Sequence, residues 1–233
     1  MCRYKISLLS VLILTLFLNV VSTAQDSTSV SKWDNQIYLG NKISYGKYDW
    51  RFSTELQTRM RNQMQTLDNW YIEQVATYLY SKHWEFVPDF RFTVKPDKLE
   101  FRPGLGALYK IKNNKLQFIN QVKWQVDFSN HGAADNAFRE VVFLNYKYNE
   151  KIVGTFVCGF IYRWREHWNG FQYIRVGPGV SYIFDDKHIL NFSYFTGIEN
   201  NGKTVQWAGV PMIQFVINVN KSYKYTPAYY FSF

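Results

Sequence analysis

Ser129 and His131 stand two residues apart in FSNHGAADN, residues 128 to 136, with Asn130 and Asp135 close by. Residues two apart share a face of an extended strand, so an imidazole at 131 can take the hydroxyl proton and make Ser129 a nucleophile. Ser, Asn, Gly, Ala and Asp are also what any loop contains. A larger set of chemistry-bearing residues is ionic: Arg51, Glu55, Arg59, Glu85, Asp89, Arg91, Glu100, Arg102, Lys123, Asp127, Arg139, Arg163, Arg165 and Arg175. All fourteen fall on the polar side of a two-residue repeat. Charges of both signs crowded on one inner face either pair across strands and stiffen the wall or form a cation-rich constriction that selects anions. His83, His167 and His188 are far apart and nothing has metal-ligand spacing, so no metal or cofactor is expected.

The elements that must carry these residues are strands. In YDWRFSTELQTRMR, residues 48 to 61, Tyr48, Trp50, Phe52, Thr54, Leu56, Thr58 and Met60 alternate with Asp49, Arg51, Ser53, Glu55, Gln57, Arg59 and Arg61. Trp84 to Val94, Leu99 to Ile111 and Leu116 to Phe128 repeat the pattern, and period two means β-strand. The reading predicts about twelve strands, near 36–46, 48–62, 69–82, 84–94, 98–112, 115–128, 138–148, 152–165, 171–184, 188–197, 205–219 and 222–233. It predicts connections that alternate between short (46–47, 81–83, 113–114, 149–151, 185–187) and long (62–69, 129–137, 198–204). Pro88, Pro103, Pro178, Pro211 and Pro227 fall inside these strands and each lacks a ladder donor, which places several at bulges or near the ends.

The chain opens MCRYKISLLSVLILTLFLNVVSTAQDS, a basic start, an apolar run and a small-residue tripeptide ending at Ala24: the pattern of a secretory signal peptide over 1–24. Residues 25–35 read as an N-terminal extension and 36–233 as one domain. Without 1–24 the chain holds 25 Lys and Arg against 18 Asp and Glu, a formal charge of +7. The cations are dispersed along the chain rather than clustered, which argues against nucleic acid as a partner. Cys158 is then the one cysteine, so neither a disulfide framework nor a thiolate metal site is available. Nineteen per cent of the residues are aromatic, and beyond the signal no apolar run is long enough for a transmembrane helix. Strands of more than ten residues, with rings on one face and charges on the other, suit a tilted strand crossing a bilayer around a wet lumen. The expectation is an all-β, antiparallel up-and-down transmembrane β-barrel of about 10–12 strands in a bacterial outer membrane, with lipid and lipopolysaccharide against its outer face.

Two segments, RPGLGALY from Arg102 and RVGPGVSY from Arg175, share R-x-G-x-G-x-x-Y. With Trp33 and the turn before Trp84 in YSKHWEF, the chain resembles an uncharacterised domain-of-unknown-function family of small bacterial outer-membrane barrels. That resemblance implies a barrel in the outer membrane and supplies no activity. The end, KYTPAYYFSF, puts Tyr225, Tyr229, Phe231 and Phe233 on one face. It is similar to the C-terminal strand by which such barrels meet their assembly machinery. Outer-membrane phospholipases and lipid A deacylases resemble the 129–131 stretch in using His and Ser two apart before Asn, although here Ser comes first. No helix follows either glycine pair, so a nucleotide loop is excluded. The bland reading of the inward glycines is room for long side chains, and the functional one is a gap beside Arg102 and Arg175 for an anion. The balance of the sequence favours a non-enzymatic porin-like protein, structural or a narrow anion-preferring channel, over a lipid hydrolase using Ser129 and His131. Twelve strands ending at a periplasmic Phe233 would also place the short turns outside, against the usual rule.

Overall fold

The computed structural model describes residues 31–130, 132, 134–200, 202 and 204–220. The expected signal peptide, the first part of the extension, His131, and the expected last strand with Tyr225, Pro227, Tyr229, Phe231 and Phe233 lie outside the described residues. Twelve strands are described: β1 (Ser31–Asn35), β2 (Ile37–Lys47), β3 (Trp50–Arg61), β4 (Thr66–Leu79), β5 (Trp84–Val94), β6 (Leu99–Asn113), β7 (Leu116–Ser129), β8 (Asp135–Lys147), β9 (Ile152–Arg165), β10 (Trp168–Ile183), β11 (His188–Asn200) and β12 (Val205–Asn218).

Strands β2 to β12 form a closed wall in which each sequential pair is antiparallel. Eleven is odd, so the first and last strands run the same way. The closing pair is therefore parallel, from Met212↔Tyr38 to Asn218↔Ser44. Upstream on β12, β1 takes the place of β2 as its neighbour, and the Gln36 amide donates to the Gly209 carbonyl at 2.8 Å. Residues 31–35, expected as part of an extension, are thus a short strand against the wall. The odd count also puts the start of β2 and the end of β12 at opposite ends of the barrel.

The expected alternation of short and long connections is not found. Strands reach into the stretches read as loops, and the longest connection, 130–134, has five residues. The extra pairs are held by polar contacts at the strand ends, such as Asp135 accepting from Arg165 Nε at 3.0 Å. At 62–64, Asn62, Gln63 and Met64 all take positive φ, a costly conformation for residues with a Cβ. It is supported by Asp34 and Asn35, which accept from the Gln63 and Met64 amides at 3.0 and 2.9 Å. At the other end, Asp185 in the β10–β11 turn is pulled down to about 2 by its hydrogen bond with His188, helped by the Lys187 amide.

Each described proline inside a strand sits at an interruption of one ladder. Pairing of β4 with β5 skips from Val75↔Asp89 to Tyr78↔Phe86, past Pro88; β6 with β7 skips Arg102 and Pro103; β10 with β11 skips Gly177 and Pro178. Pro211 stands one residue before the β12–β2 ladder begins. The register resumes unshifted past the first three gaps, so each missing donor costs a local pair and not the alignment.

Alternation sorts the wall into two faces. Outward residues such as Leu39, Phe52, Leu105, Phe156 and Phe192 are exposed, Leu105 at 64%. Rings gather toward both ends: Trp50–Tyr78 and Trp84–Tyr109 at one, Tyr162–Phe171 at the other, with centroids about 5 Å apart. Glu140 also points outward, where its carboxylate accepts from Asn120 at 3.1 Å. The inner face departs from a uniformly wet lumen. Inward Val141, Phe143, Val157, Phe195, Val210 and Met212 are almost completely buried and belong to one apolar cluster with Leu108 and Ile119. Strands β8, β9 and β12 supply most of that cluster from their inward positions.

Two glycines of the paired motifs explain themselves by space. A Cβ on Gly104 would collide with the Lys123 side chain and lie 2.8 Å from Asp89 Oδ1, so Gly104 makes room for that ion pair. A Cβ on Gly177 would be driven into the Tyr194 carbonyl, with the Phe195 Cα at 2.9 Å. Those atoms are backbone and cannot swing aside. Gly177→Ala should therefore destabilise the barrel by about 1–3 kcal/mol. Gly154→Ala, whose Cβ would meet only the Tyr146 carbonyl at 3.9 Å, should be close to neutral. Urea unfolding of the two variants in parallel checks this, and equal midpoints would refute it.

Candidate functional site

The inner face opens into a vestibule of about 310 Å³ at the end of the barrel where β3, β5, β7, β9 and β11 finish. Its lining holds eight cations, Arg59, Arg61, Arg91, Lys95, Arg102, Arg163, Arg165 and Arg175, against four acids, Asp68, Glu100, Asp127 and Glu199. Two bulges shape it. One in β10 between Phe171 and Tyr173 brings Gln172 to the lining beside Tyr173, and one in β4 leaves Asp68 unpaired opposite Arg59 and Met60 and brings it to the lining beside Asn69. Bulges re-aim side chains in this way at the rims of barrels.

On one side of the vestibule, cations and rings alternate across neighbouring strands. Arg175 lies over Tyr173 (4.6 Å) and Tyr38 (5.3 Å), Arg59 over Tyr38 (4.3 Å) and Tyr71 (5.1 Å), and Arg91 over Tyr71 (3.8 Å). Planar guanidinium suits this stacking better than an ammonium. Hydrogen bonds fix the order: Arg175 Nη2 donates to the Tyr38 hydroxyl at 2.9 Å, Tyr38 donates to Gln36 at 3.0 Å, and Gln36 donates to Glu199 at 2.9 Å. Arg175 also pairs directly with Glu199.

Below the vestibule the lumen is closed by an ionic layer. Glu73 receives Arg91 at 2.9 Å and has Lys123 at 3.6 Å and Arg102 at 3.9 Å, while Lys123 Nζ donates to Asp89 at 2.5 Å. Beyond it lie a cavity of only about 40 Å³, lined by Arg51, Asp89, Lys123 and Arg139 among others, and the apolar cluster. Glu55 and Glu85 are buried, Glu85 paired with Lys110 and Glu55 3.6 Å from Lys42. Of the fourteen ionic residues singled out in the sequence, Arg59, Arg91, Glu100, Arg102, Asp127, Arg163, Arg165 and Arg175 come together in the vestibule. Arg51, Asp89, Lys123 and Arg139 surround the smaller cavity, and Glu55 and Glu85 line neither.

Sequence reasoning missed Glu73, Glu199, Tyr38, Tyr71 and Tyr173. The signal for Glu73 was weak because TLDNWYIEQVATYL carries apolar residues at both parities. The outward Trp70 and Ile72 would have assigned it inward. Ser129 ends β7, half-buried. Asp135, close by in sequence, is engaged by Arg165 at 3.0 Å and lies 3.7 Å from Arg163. Among the described residues no group of three or more His, Cys, Asp or Glu is placed to hold a metal ion.

Neither a protein-family model nor a curated protein matches the chain, so no family model supports the expected uncharacterised family. Among solved structures it is similar to the NanC porin, at 11% identity over 70% of this chain and 86% of that one, with a TM-score of 0.49. It is similar to the KdgM porin at 14% identity, covering 67% and 81%, with a TM-score of 0.45. The beta domain of the Bordetella autotransporter BrkA follows at 9% identity, 70% and 82% coverage and a TM-score of 0.45.

Proposed function

We propose that this chain is an outer-membrane β-barrel whose basic vestibule admits anions, a narrow anion-preferring pathway closed at its waist. The carrying observation is the vestibule, with eight cations to four acids, above a lumen that shrinks to about 40 Å³. Rings of Arg and Lys select anions in pores because a cation entering them meets uncompensated like charge. The outer face supports the membrane placement. It is a belt of exposed apolar side chains between two bands of rings, carried on strands of 11 to 16 residues, long enough for a tilted crossing. Lipid and lipopolysaccharide would then cover that belt, and the aromatic C-terminal segment would be read by the assembly machinery. The hydrolase reading gains nothing from the site. Ile161 is the one aliphatic residue among the vestibule's lining, which offers no surface for an acyl chain.

In planar bilayers the wild-type barrel should pass little current, and its reversal potential in a salt gradient should show anion preference. Phe143→Ala combined with Met212→Ala removes two large side chains from the apolar cluster. That double variant should conduct more, with the preference kept because the vestibule's cations remain. A wild type that prefers cations would overturn the reading.

A further inference from the structure

At the smaller cavity, two buried cations face each other. Arg139 on β8 and Lys123 on β7 are direct cross-strand neighbours, 6% and 2% exposed, and like charges so placed repel. Lys123 has Asp89 at 2.5 Å and Glu73 at 3.6 Å to offset this. Arg139 forms no ion pair among the described residues. Its guanidinium donates one long hydrogen bond, from Nη2 to Gln121 at 3.4 Å, and its Nε is buried with no hydrogen-bond partner. A buried guanidinium is costly unless an anion stands beside it. The cavity of about 40 Å³ that Arg139 lines has four cations in its wall, Lys42, Arg51, Lys123 and Arg139, against two carboxylates, Glu73 and Asp89. Both carboxylates are engaged elsewhere, Glu73 with Arg91 at 2.9 Å and Asp89 with Lys123.

Resting on the anion-accepting reading above, we infer that this inner cavity holds a single halide ion, chloride in ordinary salt, as the counter-ion of Arg139. Size decides against larger anions. The share of one water in the liquid is about 30 Å³, so about 40 Å³ admits one sphere slightly larger than water and excludes phosphate, sulfate or any organic anion. Charge decides against water. A water would accept from Arg139 Nε but leave the repulsion between Lys123 and Arg139 standing, whereas an anion is attracted to both. The rest of the lining suits a spherical ion: Ser53 and Thr77 bring hydroxyls that can donate to it, and three aliphatic side chains make no directional demand. The site thus differs from the vestibule, which is wide enough for polyatomic anions.

The test is urea unfolding of the full barrel folded in lipid vesicles, at constant ionic strength with gluconate replacing chloride and with excess phosphate present to occupy the vestibule. One chloride bound by the folded chain alone lowers the unfolding equilibrium by up to about tenfold for each tenfold rise in chloride. The wild type should show that dependence, bromide should substitute for chloride, and further phosphate should have no such effect. Arg139→Gln should remove the dependence, while Arg139→Lys, which keeps the charge, should retain part of it. Circular dichroism and gel migration of unheated samples establish that each variant is folded. Anomalous scattering from wild-type crystals grown in bromide needs no variant and should place one bromide against Arg139 Nε. No chloride dependence in the wild type, an undiminished dependence in Arg139→Gln, or no bromide in the inner cavity would overturn the inference. Anion preference in bilayers without this chloride dependence would sink the inference alone, whereas cation preference would sink the function on which it rests.

Discussion

Glu73→Gln should destabilise the barrel by about 3–5 kcal/mol, the usual cost of removing one partner from a buried ion pair. Glu73 is 5% exposed and sits among three cations: Arg91 at 2.9 Å, Lys123 at 3.6 Å and Arg102 at 3.9 Å. Neutralising it leaves Arg91 with no carboxylate of its own. Lys123 retains Asp89 and Arg102 retains the neighbourhood of Asp127, so the loss falls mainly on one guanidinium. The double variant Glu73→Gln with Arg91→Gln should therefore recover most of the stability, because no lone buried charge remains. Urea unfolding of protein folded in lipid vesicles, followed by tryptophan emission, measures both. If the single variant loses under about 1 kcal/mol, the ionic layer is not what holds the waist closed.

Leu105→Arg should cost about 2–4 kcal/mol in the same vesicle assay, the penalty for an arginine at the bilayer midplane on the lipid face of a barrel. Leu105 lies near the middle of β6, opposite Pro88 and Trp124 on the neighbouring strands, and is 64% exposed. On a wetted surface the same exchange would stay within about 0.5 kcal/mol, since exposed substitutions away from special features rarely matter more. The two outcomes are far enough apart to decide whether the outer belt meets lipid. A small effect at Leu105 would remove the membrane placement and, with it, the channel reading.

Much of this barrel is legible in one dimension. Strict alternation in residues 48–61 assigns Arg51, Glu55 and Arg59 to the inner face without any structure, and all three lie there buried or partly buried. The same parity assigned Arg102 and Arg175, which both reach the vestibule. The prolines, read as places where a ladder must break, do mark the breaks. Legibility fails where both parities are apolar. In VVFLNY of β8 and AGVPMIQFVI of β12 no alternation separates the lumen from the outside, so the apolar plug of Phe143, Val210 and Met212 went unseen. Loop lengths misled for a related reason: polar residues at strand ends read as loop until a neighbouring strand supplies their partners, as Arg165 does for Asp135.

By itself the sequence determined that the chain forms strands, how long they are and which side chains share a face, because the two-residue repeat of an extended backbone is a local property. Only the tertiary structure decided that eleven strands close with a parallel seam, that vestibule cations such as Arg163 and Arg175 meet carboxylates from other strands, and that the lumen is filled below them. Those outcomes depend on closure and register, which set residues such as Arg175 and Tyr38, 137 positions apart, into hydrogen-bonding contact. A repeat along one strand says which way a side chain points, and the curvature of the closed wall decides what it meets there.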